Sequence, residues 1–322
     1  IAVSCNVSVE NVISAPDVKS VYDVPLNFEK DNLSGIILKS LRLRTKSEED
    51  MKNWRSFADR VKSANDEVNI AVIGKYFDTG DFVLSDAYIS VIEATKYSAY
   101  KLGVKPKLSW LNSKDLESDE KKVLLLKNYD GVIVPGGFGE SGIEGKLKAI
   151  KFVRENKIPY LGLCYGMQLA VIEYARNVLG LKDANTTEID PNSKNPVIDI
   201  MDDQKKNISD SKYGGTMRLG AYKAVLKEGT IARAAYGEGE VWERHRHRYE
   251  VNSDYIKKIE SAGMIFSGKS PDGNLMEIAE LPKSAHPFFL GTQFHPEFKA
   301  RPLHPHPLFT EFMKAAIKRK KK

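Results

Sequence analysis

The chain has 322 residues, 42% of them hydrophobic and 29% charged, which allows a substantial core and excludes a largely disordered chain. Its 49 basic and 43 acidic residues leave a formal charge of +6. Five of the cations, Lys318 to Lys322, form a terminal run expected to fray into solvent, which argues against a nucleic-acid or membrane partner. Two cysteines, Cys5 and Cys164, exclude a disulfide framework and predict a reducing, cytoplasmic setting.

In chain order, Ile1 to Val7 reads as an apolar strand-like run, and a start at Ile rather than Met predicts that a preceding segment has been removed. A short strand is expected at Ser14 to Asp17. Residues 47 to 64 place Met51, Trp54, Phe57, Ala58 and Val61 at helical intervals behind a Ser cap, giving a bridging helix. Val68–Ile73 forms a buried strand, a helix follows from about 86 to 102, and Lys107–Leu111 returns as a strand. Strand, helix, strand and helix continue through Gly131–Val134, Glu144–Arg154, Tyr160–Leu163 and Gly166–Ala175. Such alternation predicts a mostly parallel central sheet with helices on both faces. Beyond about 190, strands dominate (Thr216–Leu219, Val241–Val251, Gly263–Gly268, Leu275–Leu281, Phe288–Phe294), and a last helix spans about 307 to 318. No apolar run approaches the ~20 residues that a membrane span needs.

The stretch Gly162-Leu163-Cys164-Tyr165-Gly166-Met167-Gln168 ends a strand and opens a helix. Small residues two positions either side of Cys164 allow the sharp turn of a nucleophile elbow. That turn would expose the sulfur, and the helix N-terminus behind it favours thiolate over a free thiol of pKa about 8.5. Such a sulfur can attack a carbonyl, and it needs a base that later returns the proton. His295 and Glu297, two apart in Phe294-His295-Pro296-Glu297, are the best candidates, the carboxylate orienting the ring. His245 and His247 alternate with Arg244, Arg246 and Arg248 and read as a core-satisfied or solvated strand. His304 and His306 lack further ligands at metal spacing. The loop Pro135-Gly136-Gly137-Phe138-Gly139 follows a strand, and its glycines permit unusual backbone angles and close approach to a ligand, so that an N–H there and that of Tyr165 could face an oxyanion. It lacks the Lys and Ser/Thr of a nucleotide P-loop.

Taken together, Pro135 to Gly139, Gly162 to Gln168 and Phe294 to Glu297 resemble the class I glutamine amidotransferase domain. NVISAPDVKSVYDVP, IAVIGKY, VPGGFG, DANTTE, GGTMRLG, RHRHRYEVN and FHPEF resemble the CTP synthase family over nearly the whole chain. The resemblance implies Cys164 as nucleophile, His295 as base and acid, and Glu297 as orienter, with Gly137, Tyr165, Gln168, Glu188 and Arg248 binding glutamine. It also implies three regions: a remnant of a synthetase (ammonia ligase) domain over 1–45, a linker helix over 46–66, and the amidotransferase domain over 67–322. Pro16, Asp17 and Val18 fall where the family contacts ATP adenine. The synthetase site with its P-loop, magnesium and UTP pocket is missing from these residues, so the chain itself is expected to hold no cofactor or metal. In the intact family member, ATP, Mg, UTP and allosteric GTP act and a homotetramer forms. Ser141 stands where the family usually has Arg, and Tyr165 where Leu is common. Two other readings stay open: a catalytically silent assembly module, and an amidotransferase of another pathway.

Overall fold

A computed structural model describes residues 1–44, 51–74, 88–137, 139–201 and 217–321. The expected Ser47 cap, Phe138 and the strand start at Thr216 lie outside these. The chain divides into two compact units, Ile1–Asn65 and Asp66–Lys322.

The first unit is helical: α1 Ala2–Cys5, α2 Val24–Lys30, α3 Leu33–Ser40 and α4 Lys52–Ser63. Neither strand expected here forms. Ile1 to Val7 contains the single turn α1, because a short apolar run carries no reliable period. Ser14 to Asp17 is irregular; a strand needs a neighbour to satisfy its backbone, and Pro16 has no N–H to offer. Helix α4 holds the segment before α2: Trp54 Nε1 donates to the Tyr22 carbonyl at 2.8 Å, the Tyr22 and Phe57 rings meet edge-on at 5.1 Å, and Lys62 pairs with Asp23 at 2.8 Å.

The second unit is built on a nine-stranded sheet of order β2-β1-β3-β4-β12-β11-β10-β7-β8. Its first five strands, β2 Lys105–Asn112, β1 Glu67–Gly74, β3 Gly131–Val134, β4 Tyr160–Leu163 and β12 Phe289–Thr292, are mutually parallel. The remaining four, β11 Met276–Glu280, β10 Ile265–Lys269, β7 Arg218–Leu226 and β8 Glu240–His247, pair antiparallel. The sheet is therefore mixed, its antiparallel half coming from the strand-rich region beyond 190. A small second sheet joins β5 Ala184–Thr186, β6 Asn195–Ile200 and β9 Tyr249–Val251. The expected strand 241–251 thus breaks at Arg248 and serves both sheets.

Helices cover both faces. Residues alternate along β1, with Ala71 and Ile73 packing with α8 Ile143–Glu155 and α9 Tyr165–Asn177 through Leu147, Ile150, Met167 and Val171. Val68, Ile70 and Val72 pack on the other face with Val91 and Ala94 of α5 Ile89–Lys101 and with Phe309 and Phe312 of the C-terminal helix Pro307–Lys320. Alternation along a strand buried on both faces explains this division. The terminal basic run does not simply fray. Lys318 to Lys320 make the last turn of that helix, where cations suit the dipole; Arg319 donates to the carbonyls of Tyr129 and Lys127, and Lys320 pairs with Asp66. Among the described residues, no helix is long and apolar enough to cross a membrane.

Candidate active site

Strand β4 ends at Leu163 and α9 begins at Tyr165, so Cys164 alone makes the turn. It does so at φ 51 and ψ −101, a conformation costing a residue with a side chain about 1–3 kcal/mol. Both flanks pin it: its N–H donates to the Thr292 carbonyl at 2.6 Å, and its carbonyl accepts from the Met167 and Gln168 N–H groups. Gly166 is required by proximity, since a Cβ there would run into the Val134 carbonyl oxygen. The Tyr160 hydroxyl donates to the Gly166 carbonyl at 2.8 Å and braces the first turn. The elbow is thus present, but Cys164 is 3% exposed rather than standing open to solvent, whereas Cys5 is exposed.

Strand β12 lies beside β4 with Thr292 opposite Leu163, so the residues that follow β12 emerge next to the cysteine. His295 is fixed on both sides. Its N–H donates to the Arg244 carbonyl at 2.8 Å, its ring stacks on Phe298 at 5.1 Å, and its Nδ1 meets Glu297 Oε1 at 2.8 Å. That leaves Nε2 for the neighbouring Cys164 sulfur, whose own hydrogen-bond contacts are the Gln293 amide at 3.7 Å and the Arg246 carbonyl at 3.9 Å. Burial opposes charge on this ring, yet the adjacent sulfur and the Glu297 carboxylate outweigh it and lift the His295 pKa to about 10. The imidazole is therefore held as a cation beside the sulfur, the state that favours a thiolate.

Of the other residues singled out in the sequence, Tyr165 and Gln168 lie in the helical turn that follows Cys164. Gln168, in the first turn of α9, donates to the Tyr249 carbonyl at 2.7 Å and to Gln293 Oε1 at 3.0 Å. Glu188 accepts from the Gly139 N–H at 3.1 Å, tying the loop after β3 to the segment after β5. Burial, then the Glu188 and Glu140 carboxylates, push the Tyr165 phenol far above its ordinary range. The Tyr249 phenol is raised by burial and by the Glu188 carboxylate, while the Arg248 charge opposes the rise. At Gly137 an added Cβ would meet nothing within 4 Å, so open space faces it. Neither Gly136 nor Gly137 has a positive φ, whereas Gly139 does at φ 75; Gly136 serves close approach, to the His295 ring, and the unusual torsion falls on Gly139. Pro16, Asp17 and Val18 lie in the first unit on an irregular stretch, the first two exposed.

The model for class-I glutamine amidotransferases matches residues 83–315. The chain belongs to that family. It lies in the CTP synthase branch: the family model described as CTP synthase N-terminus matches residues 1–43. The CTP synthases of Caldanaerobacter subterraneus subsp. tengcongensis and Methanocaldococcus jannaschii are 51% and 49% identical to it, each over 98% of this chain. The chain spans 57% and 58% of those relatives' lengths. The solved Trypanosoma brucei CTPS glutaminase domain with bound acivicin is 37% identical, with a TM-score of 0.70 over 78% of this chain and 94% of that one.

The amidotransferase fold also uses residues that the sequence did not single out. Gln293 is 1% exposed, and its Nε2 lies 3.7 Å from Cys164 Sγ. A polar amide inside the apolar run Phe288 to Phe294 is the signal that could have marked it, since buried amides need partners. The alternating histidines are both buried, His245 satisfied at both nitrogens and His247 at Nδ1 only. His245 bonds Glu277 at 2.6 Å, and His247 Nδ1 bonds the Tyr249 carbonyl at 3.1 Å, while Arg244 and Arg246 face outward. His306 caps the C-terminal helix and bonds Glu243 at 3.0 Å, and among the described residues no cluster could hold a metal ion.

Proposed function

We propose that this chain hydrolyses the side-chain amide of glutamine through a Cys164 thioester. The observation that carries this reading is the placement of Cys164, at a strand-to-helix elbow, beside a His295 ring whose Nδ1 is held by Glu297. The Cys164 thiolate adds to the amide carbon, and the oxygen takes up the displaced electron pair. The Tyr165 N–H, at a helix start where first-turn amides have no intrahelical acceptor, and a loop N–H at Gly137 stabilise that oxyanion. The carbon–nitrogen bond then breaks as the His295 imidazolium gives its Nε2 proton to the departing nitrogen, releasing ammonia. Neutral His295 next takes a proton from water, which attacks the thioester. Glutamate leaves, and the thiolate and imidazolium return. Glu297 holds Nδ1 and keeps the ring aligned throughout.

Arg248 receives the glutamine carboxylate, since a planar guanidinium matches it in bidentate fashion, while Gly137, Tyr165, Gln168 and Glu188 shape the rest of the pocket. In a longer protein of this kind the ammonia passes to a synthetase domain and, with ATP and magnesium, aminates UTP to CTP under GTP control, within a homotetramer. Pro16, Asp17 and Val18 would then contact adenine. The match of residues 1–43 to the CTP synthase N-terminus supports that reading.

Release of glutamate and ammonia from glutamine, measured with and without GTP, tests the first step. Equal release by the Cys164→Ala variant would sink it. Assayed alone, the 322-residue chain should make no CTP from UTP, ATP and ammonia, and CTP formation would overturn the assignment of 1–45 as a remnant.

A further inference from the structure

The Tyr249 carbonyl oxygen can only accept hydrogen bonds. The Gln168 amide end that lies 2.7 Å from it is therefore Nε2, whatever the two ends of an amide look like by shape alone. The second hydrogen of Nε2 meets Gln293 at 3.0 Å, so the facing end of Gln293 must be its oxygen. Only one end of Gln293 then remains, and it lies 3.7 Å from Cys164 Sγ as an N–H donor. Gln168 is 3% exposed and Gln293 1%, so water does not offer alternative partners that would let either amide turn over. His247 Nδ1 takes the other side of the Tyr249 carbonyl at 3.1 Å. Burial above all, with nearby positive groups, holds this ring far below the ordinary histidine range, and as a neutral donor it closes the network.

We propose that Gln293 is a positioning residue for the nucleophile, and that the Tyr249 carbonyl, two amides away, fixes its sense so that an N–H rather than a C=O faces the Cys164 sulfur. A donor stabilises the thiolate, whereas a carbonyl oxygen at the same place would repel it. Both N–H groups of Gln168 are consumed within the protein. Only its Oε1 remains for substrate, so Gln168 accepts from a glutamine N–H and does not donate to the carboxylate.

This rests on Cys164 being the nucleophile, and the test separates the two ideas. Thiolate absorbance is titrated in a Cys5→Ser background, with the same protein carrying Cys164→Ala subtracted. Gln293→Met should raise the pH of half-maximal thiolate signal by about one unit, making the thiolate fraction up to about tenfold smaller near neutrality. Gln293→Glu should raise it further, by placing an anion beside the sulfur. Gln168→Glu never touches the sulfur, yet it cannot donate to Tyr249 and should turn the Gln293 amide over, so its midpoint should rise too. Met167→Leu, an apolar change in the same core, should lower melting temperature without moving the midpoint. Unmoved midpoints in folded Gln293→Met and Gln168→Glu overturn the relay. If Gln293→Met does not fold, the Gln168→Glu midpoint decides alone. Absence of glutaminase activity in the Cys5→Ser parent itself, by contrast, would overturn the nucleophile.

Discussion

Gly136 packs against His295 so closely that a Cβ on it would lie 2.9 Å from the ring Cε1 and 3.6 Å from the Cys164 Cβ. The loop after β3 is thus the wall that holds the imidazole toward the sulfur. Gly136→Ala should push the ring off line, and a misplacement of about 1 Å costs roughly 100-fold in rate. We expect kcat for glutamine to fall by at least about tenfold with the melting temperature nearly kept. An undiminished kcat would show that the ring or the loop yields freely.

Exposure and chemistry point to different cysteines. A small indiscriminate alkylator should reach Cys5, which is exposed, before Cys164. A diazo ketone shaped like glutamine should label Cys164 and spare Cys5, because only Cys164 has an adjacent imidazolium and a helix N-terminus. Peptide mapping reads the outcome, and preferential labelling of Cys5 by the glutamine analogue would remove the basis for the proposed mechanism.

Arg248 should act on glutamine alone. Truncating one partner of a buried charged pair costs about 2 to 5 kcal/mol, and about 1.4 kcal/mol is tenfold. Arg248→Ala should therefore lower kcat/KM for glutamine by roughly 30-fold or more, with Arg248→Lys recovering little. Slow hydrolysis of a simple amide without an α-carboxylate should hardly change. Equal losses on both substrates would make Arg248 a support of the turn between β8 and β9.

Acid should weaken the fold through His286. This ring is 1% exposed, accepts from the Phe288 N–H at 3.2 Å and donates to the Val153 carbonyl at 3.3 Å. Burial, reinforced by Lys157 and Arg154, drops its pKa from 6.5 to about 4. The unfolded chain binds the proton first as pH falls, so stability present above pH 6.5 is lost on the way to about 4. The loss amounts to about 3 kcal/mol. Urea melts across that window should show a shallower dependence in His286→Gln; identical slopes would mean that His286 does not drive the acid loss.

The parallel half of the sheet was legible because β1, β3 and β4 are short continuous apolar runs and α8 and α9 keep a helical period. The elbow was legible because glycines bracket Cys164. The N-terminal strands were misread, since a few apolar residues fit either period until a partner strand is available. The break at Arg248 was invisible, because RHRHR alternates smoothly and only the existence of a second sheet takes Tyr249 to Val251 elsewhere. Gln293 and Gly136 act through neighbours far away in sequence, and no local pattern encodes such contacts.

The place of β12 has a consequence for the order in which the protein becomes competent. This strand is inserted between β4 and β11, joining the two halves of the sheet, and the chain leading out of it carries both His295 and Glu297. During synthesis the cysteine emerges, with its elbow and helix, more than a hundred residues before His295 and Glu297, and stays without base or orienter until they follow. The Thr292 carbonyl that pins the Cys164 N–H arrives on the same late strand. Long-range pairing of this kind is slow to form, so a nascent chain stalled before β12 should release no ammonia. Delayed assembly would keep a reactive sulfur idle until the fold around it is closed.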